Sequence, residues 1–245
     1  MKVFFRAPHP VFGRANNRRP VSYQQRSPYY WWWAYLRRNK DYLACCEAGG
    51  VGVLAELHAD FGDVRADDFH RWWTEDRRGA RLFAEQPLQV KFGELHTPAD
   101  WLPTWGVADV MVVAVPLEVS KRRLKGDFAK LLDERHTGKR GRPAIGQQAS
   151  SARYPLQQNF TIANLRTTLQ VYDSWLANQS VPANERLTQW QLGRALNKKA
   201  AVAAESPLAS ERLLGRNVLA ATVSRYVARA KRMIEGAAQG RFPVV

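Results

Sequence analysis

Three consecutive tryptophans, Trp31 to Trp33, set the strongest constraint on how this chain folds. They lie in the stretch SPYYWWWAYLRRNKDYLACCE, which begins with Ser27 as a helix N-cap and a proline at the first helical position. This pattern predicts a helix from about residue 28 to Glu47, ended by two glycines. Successive helical residues point about 100° apart, so three adjacent tryptophans cannot all face one core. At least one must face a second element, a partner chain or a ligand.

Two interpretations of this triplet remain open. Because Arg37, Arg38 and Lys40 follow it, the tryptophans could stack on the bases of a single strand. However, residues 41–120 contain 14 acidic and 6 basic residues, which would repel a nucleic acid. We therefore favour a packing hub between elements or subunits, and predict a protein partner or self-association through this tryptophan-rich region.

The charge of the chain is strongly positive and unevenly distributed. The 245 residues include 37 Lys and Arg against 22 Asp and Glu, a net charge of +15. Residues 1–40 contain nine basic residues and no acid, and residues 121–245 contain 22 basic and 8 acidic residues. This segregation predicts a polyanionic partner, with double-stranded DNA first among the nucleic acids.

Several classes of protein do not fit the sequence. No apolar run approaches the roughly 18 residues of a membrane span, and the N-terminus lacks the apolar core of a signal peptide. The two cysteines, Cys45 and Cys46, are adjacent and rarely pair in that arrangement. We expect a cytoplasmic protein with no membrane contact, no disulfide and no cofactor or metal.

The periodicity predicts an α+β fold that is mostly α. We divide the chain into a basic extended arm (1–26), an aromatic-rich acidic α+β domain (27–135), a basic linker (136–155) and a basic helical domain (156–240). Residues 87–92 and 110–119 are expected to be strands. Helices are expected from about 157 and over 184–197, 207–214 and 218–235.

The sharpest local motif lies in the linker, where residues 139–143 read KRGRP. It resembles the AT-hook, which places extended arginines in the narrow minor groove of A/T-rich duplexes. The resemblance implies that Lys139, Arg140 and Arg142 contact DNA and that Gly141 permits the close approach.

The last long helix is the second candidate DNA contact. Its apolar positions form a buried stripe of Leu219, Val223, Val227, Ala230 and Ile234. Basic and hydroxyl side chains occupy other positions, namely Thr222, Ser224, Arg225, Arg229, Lys231 and Arg232. Such a helix suits the major groove, where arginine contacts guanine edges or phosphates. Residues 222–225, TVSR, resemble the recognition helix of lactose-repressor-type helix-turn-helix domains. In those domains the turn glycine precedes the threonine by about five residues, whereas Gly215 precedes Thr222 by seven, so the resemblance implies a helix-turn-helix variant with an inserted segment at 196–213.

Five further basic residues are candidate secondary phosphate contacts. Lys121, Arg122 and Arg123 crowd the start of a predicted helix, where cations oppose the helix dipole and indicate an anion nearby. Arg37 and Arg38 follow the tryptophan triplet.

Signatures of an enzyme are weak, and we predict no catalytic residue. His58, Asp60, Asp63, Asp67 and Asp68 could hold a divalent metal, as in nucleases. The alternative is that Asp67 or Asp68 caps a helix and that residues 60–63 form a turn.

The runs YYWWWAYLRRNKDYLACCE, FGDV, FHRWWTE and RGARLFAE, within residues 27–85, resemble uncharacterised proteins of bacterial prophages and integrating elements. The expected function is a duplex-DNA-binding regulator or accessory factor of such an element, and the resemblance implies a bacterial, nucleoid-associated protein. The alternatives are a nucleic-acid-binding structural component of a phage or ribonucleoprotein assembly and, less favoured, a metal-dependent nuclease or recombinase.

Overall fold

The computed structural model describes residues 4–85, 95–97, 111–135, 150–157 and 160–244. The chain forms two compact units, one made of Met1–Gln86 with Ser150–Val245 and the other of Pro87–Ala149. The fold is mostly helical with one small antiparallel sheet, as the sequence predicts.

The small sheet lies in the N-terminal segment and not in the predicted strands. Strands β1 (Gly13–Arg14) and β2 (Asn17–Arg18) form a hairpin, followed by the short helix α1 (Val21–Gln24). The segment predicted as a basic extended arm therefore contains regular structure, and its Phe12 packs on the rings of Phe69 and His70. The predicted strand at 87–92 lies outside the described residues. Residues 111–115 form no strand in the described part of the chain, where they have no pairing partner.

The helix predicted over 28–47 is two helices, α2 (Pro28–Leu36) and α3 (Lys40–Glu47). The start is confirmed, since the Ser27 side chain accepts a hydrogen bond from the Tyr29 N–H. The break occurs because the Asn39 side chain accepts a hydrogen bond from the Tyr42 N–H and so caps a second helix.

The tryptophan triplet forms the centre of the core of the first unit. Trp31, Trp32 and Trp33 are all buried, and each points in a different direction. The Trp32 ring packs against three phenylalanines from distant parts of the chain: Phe61, Phe83 and Phe242. Trp33 packs against aromatic rings of a neighbouring helix, and the Trp31 indole N–H donates to the Gln25 carbonyl. The interpretation as a packing hub between elements is therefore confirmed.

Short helices surround this centre. They are α4 (Ala55–Phe61), α5 (Phe69–Thr74) and α6 (Arg78–Phe83), with a 3-10 turn at Glu75–Arg77. Helix α7 (Lys121–Arg135) belongs to the second unit.

The C-terminal helices complete the same core. They are α8 (Ile162–Gln179), α9 (Gln189–Gly193), α10 (Lys198–Ala203) and α11 (Ala209–Ala238). Residues on α8 and α11 share one hydrophobic cluster with the aromatic residues of α2, α5 and α6. The structure thus groups the chain differently from the predicted domains 27–135 and 156–240. The reason is that the apolar stripes of α8 and α11 need a partner surface, which the N-terminal helices provide.

Helix α11 is a single helix of 30 residues where the sequence predicts two. The expected break near 215–217 is absent because Gly215 is helical and packs closely on α10. The predicted stripe of Leu219, Val223, Val227, Ala230 and Ile234 is confirmed as buried.

Each helix in the described part of the chain is too short or too polar to cross a lipid bilayer.

Candidate nucleic-acid interface

The outer face of α11 carries a row of basic side chains. Arg225, Arg229 and Arg232 are spaced by four and three residues, so they lie along one stripe. Arg225 and Arg232 are exposed and Arg229 is half-buried. Ser224 and Lys231 are exposed beside this stripe, and Thr222 is half-buried. The structure therefore brings together the six residues that the sequence assigns to this helix.

Packing on the opposite side holds α11 in place. A Cβ atom at Gly215 would lie 2.3 Å from the Ala204 backbone nitrogen, so α10 crosses α11 without a gap. The Arg216 guanidinium lies 4.6 Å from the centre of the Trp190 ring on α9. At the other end, Ala230 and Ala237 are fully buried. The basic stripe thus stands on a rigid support.

Two of the predicted hydroxyl groups are occupied within the protein. The Thr222 hydroxyl donates to the Val218 carbonyl at 2.7 Å, and the Ser224 hydroxyl donates to Gln189 Oε1 at 2.8 Å. Arg225 reaches the Thr222 hydroxyl at 3.5 Å, which is a weak contact. In this arrangement Ser224 ties α11 to the start of α9.

The local electrostatics favour an anion. Between residues 212 and 234, α11 has six basic residues and no acidic residue. Considering the described residues alone, Arg225, Arg229, Lys231 and Arg232 form no ion pair. Lys231 lies 4.9 Å from the centre of the Trp175 ring, a cation–π contact that leaves its charge uncompensated.

The secondary candidates differ from this pattern. Arg38 binds both carboxylate oxygens of Asp173, at 3.1 and 2.7 Å. Arg37 pairs with Asp67 and lies 4.5 Å from the centre of the Trp33 ring. Both guanidinium groups are therefore already paired with a carboxylate. A phosphate bound there would have to share each guanidinium group with that carboxylate.

The remaining predicted residues belong to the segment Pro87–Ala149 of the second unit. Lys121, Arg122 and Arg123 are exposed in the first turn of α7, with Arg123 and Asp127 3.8 Å apart. Residues 139–143, with Lys139, Arg140, Gly141 and Arg142, lie outside the described residues.

The predicted turn of a helix-turn-helix at Gly215 is wrong, since that glycine lies inside α11. A pair of short helices occurs earlier, where α9 and α10 are joined by residues 194–197, the connection length of that motif. Lys198 and Lys199 are exposed at the start of α10, and they are not among the DNA contacts that the sequence predicts. Two signals were available: the Thr188–Gln191 capping box and the Asn197 cap, whose side chain accepts from the Ala200 N–H.

The acidic residues considered for metal binding have other roles. Asp68 caps α5 by accepting from the Arg71 N–H, as predicted, and Asp63 binds Arg65. Asp60 accepts from the Tyr154 hydroxyl at 2.6 Å and pairs with Arg153 at 2.7 Å. Burial, followed by the Asp60 carboxylate, raises the pKa of Tyr154 to about 12, so its hydroxyl remains a donor. Within the described ranges, no three His, Cys, Asp or Glu side chains are placed to hold a metal.

Comparisons with protein-family models, curated proteins and solved structures give no match to this chain.

Proposed function

We propose that this protein binds duplex DNA through the outer face of α11. The observation that carries the proposal is the stripe of Arg225, Arg229 and Arg232, exposed or half-exposed and without ion pairs among the described residues. The major groove is wide enough to admit an α-helix. A helix that is buried on one side and cationic on the other can therefore present its basic side chains to the phosphates and base edges there.

The binding chemistry is stoichiometric. Phosphate neutralisation by the basic stripe supplies affinity, and arginine contacts to guanine edges supply register and sequence preference. Lys198 and Lys199 at the start of α10 are additional basic groups on the helices that pack against α11. The role as a regulator or accessory factor of a bacterial mobile element, bound to the nucleoid, is supported by the sequence resemblance alone.

Burial of the tryptophan triplet favours duplex DNA over a single strand. Trp31, Trp32 and Trp33 are 4%, 0% and 2% exposed, so none offers a ring face to a base. A stacking surface for RNA or single-stranded DNA would need exposed aromatic rings.

The test is a salt titration of binding to duplex DNA, single-stranded DNA and RNA by the full-length protein. We expect Arg225→Ala and Arg229→Ala each to weaken duplex binding by roughly 1–3 kcal/mol if they contact bases. Each lost phosphate contact should reduce the slope of log affinity against log salt by about 0.9.

Arg71→Ala is the matched control, because Arg71 is an exposed helical arginine on α5. Equal effects of the control and the α11 variants would indicate that binding depends on the overall positive charge and not on this stripe. Unchanged duplex affinity in both α11 variants would contradict the proposal. Tighter binding to RNA or single strands would favour the structural component of a phage or ribonucleoprotein assembly.

A further inference from the structure

The first half of α11 exposes large apolar side chains that the described part of the chain leaves uncovered. Leu214 is 65% exposed and Val218 is 36% exposed, and Ala221 follows them on the same face. Three more exposed apolar residues lie in α10, at the residue before α11 and on α11 itself: Val202 (75%), Leu208 (58%) and Leu213 (62%). Single exposed apolar residues are ordinary, but a contiguous group marks a contact surface.

The spacing of this group is that of a helix-pairing seam. Glu211, Leu214, Val218, Ala221 and Arg225 are separated alternately by three and four residues. This 3-4 spacing places them along one narrow stripe, as at the a and d positions of a heptad. The opposite side of α11 is already packed against α9 and α10, where Leu219 is fully buried. The stripe is therefore a second seam on the same helix.

The charges at the two ends of the seam are complementary under a twofold rotation. Glu211 lies seven residues before Val218 and Arg225 lies seven residues after it, about 10 Å in each direction along the helix. In an antiparallel pair centred on Val218, Glu211 of one copy is level with Arg225 of the other, and the reverse pair forms as well. A parallel pair would place like charges side by side.

We propose that α11 associates with α11 of a second copy of this chain, antiparallel, with Val218 at the twofold axis. Leu214 of each copy then faces Ala221 and Thr222 of the other. The interface is self-complementary, as a symmetric dimer requires. Arg225 belongs both to this seam and to the basic stripe of α11, whereas Arg229 and Arg232 lie beyond the seam.

The test is the molar mass of the full-length protein against concentration, measured by sedimentation after nuclease treatment and removal of nucleic acid. The unmodified protein should show a monomer–dimer equilibrium. Glu211→Arg and Arg225→Glu should each raise the dimer dissociation constant roughly tenfold or more. In the symmetric dimer, each variant brings like charges together at both places where residue 211 of one copy meets residue 225 of the other. The combined exchange restores both pairs and should return the dissociation constant close to its original value.

Two controls separate the seam from general surface effects. Glu235→Arg makes the same charge change at an exposed position of α11 outside the seam and should leave the mass curve unchanged. Leu214→Asp should weaken the dimer, whereas Leu176→Asp, at a 40% exposed leucine on α8, should not.

A monomer at every concentration would overturn the proposal. So would a dimer that is insensitive to Leu214→Asp, or one that the combined charge exchange fails to restore. Because no DNA is present, these outcomes are independent of those for the proposed DNA binding.

Discussion

At the scale of single residues, Glu85 connects three parts of the chain. Its carboxylate accepts hydrogen bonds from the Ser150 hydroxyl at 2.5 Å and from the Ser151 backbone and hydroxyl groups at 2.7 and 2.8 Å. It also pairs with Arg6 at 3.1 Å. Burial alone would raise the pKa of Glu85, but these hydrogen bonds and the Arg6 charge outweigh it and lower the pKa below its ordinary value of 4.5.

Replacement of Glu85 by Gln should therefore cost stability in a pH-dependent way. A lowered folded pKa stabilises the fold above the ordinary pKa, and this contribution disappears as the pH falls through the folded value. We expect Glu85→Gln to lower the free energy of unfolding by roughly 1–2 kcal/mol at pH 7, with the difference shrinking below pH 4.5. Urea unfolding over this range measures it. The exposed Glu185→Gln serves as control, and a constant difference at all pH values would contradict the argument.

At this scale, the sequence predicts interactions between residues that are close in the chain but not those between residues that are far apart in it. The caps at Ser27 and Asp68 were predicted, since a cap depends on residues two or three positions away. The pair of Arg38 with Asp173 spans 135 positions, and no local pattern indicates it. For the same reason the sequence could assign Arg38 to a phosphate, while the structure gives it a carboxylate.

At the scale of elements, the packing of α10 on α11 depends on a glycine. A Cβ atom at Gly215 would lie 2.3 Å from the Ala204 nitrogen and 2.8 Å from the Ala200 carbonyl oxygen. Both are backbone atoms of residues at α10, so they cannot rotate away from the added Cβ atom as the end of a side chain could. The two helices can therefore approach this closely only if position 215 has no side chain.

We predict that Gly215→Ala destabilises the protein by roughly 1–3 kcal/mol, although alanine favours a helix by about 1 kcal/mol over glycine. Gly126→Ala on α7, where a Cβ atom meets open space, should instead increase helix stability. Urea unfolding followed by circular dichroism compares the two variants. A stabilised Gly215→Ala protein would show that α10 moves freely on α11.

The same glycine explains why the prediction of the elements was incomplete. In the sequence, a glycine after an apolar stretch indicates a helix end, so the pattern predicts separate helices over 207–214 and 218–235. In the fold, that glycine serves helix packing, which a one-dimensional pattern cannot distinguish from a turn. The buried stripe of α11 was predicted correctly because its spacing is a property of the helix itself.

At the scale of the whole molecule, the core of the first unit is built from two stretches of chain separated by residues 87–149. Phe242 is fully buried, and its ring packs against the rings of Trp32 and Tyr35. The Tyr35 hydroxyl donates to the Leu165 carbonyl at 3.0 Å, which fixes α2 to α8. Neither stretch therefore has a complete core by itself.

A fragment of residues 156–245 should accordingly fail to form a fixed tertiary structure alone. Leu165, Leu169, Val223 and Val227 would be exposed where the aromatic helices now cover them. We expect weak near-ultraviolet circular dichroism and no cooperative thermal transition for the fragment. Co-expression with residues 1–135 should restore both signals. A sharp transition in the fragment alone would support the separate C-terminal domain that the sequence suggested.

The position of Phe242 also determines when this protein can fold during its synthesis. The aromatic helices leave the ribosome early, with Trp32 and Phe61 already translated but without the ring that closes their core. That surface stays open to solvent until Phe242 has been added, about 180 residues after Phe61. Over this interval the nascent chain presents an apolar aromatic surface, which is the kind of surface that molecular chaperones recognise.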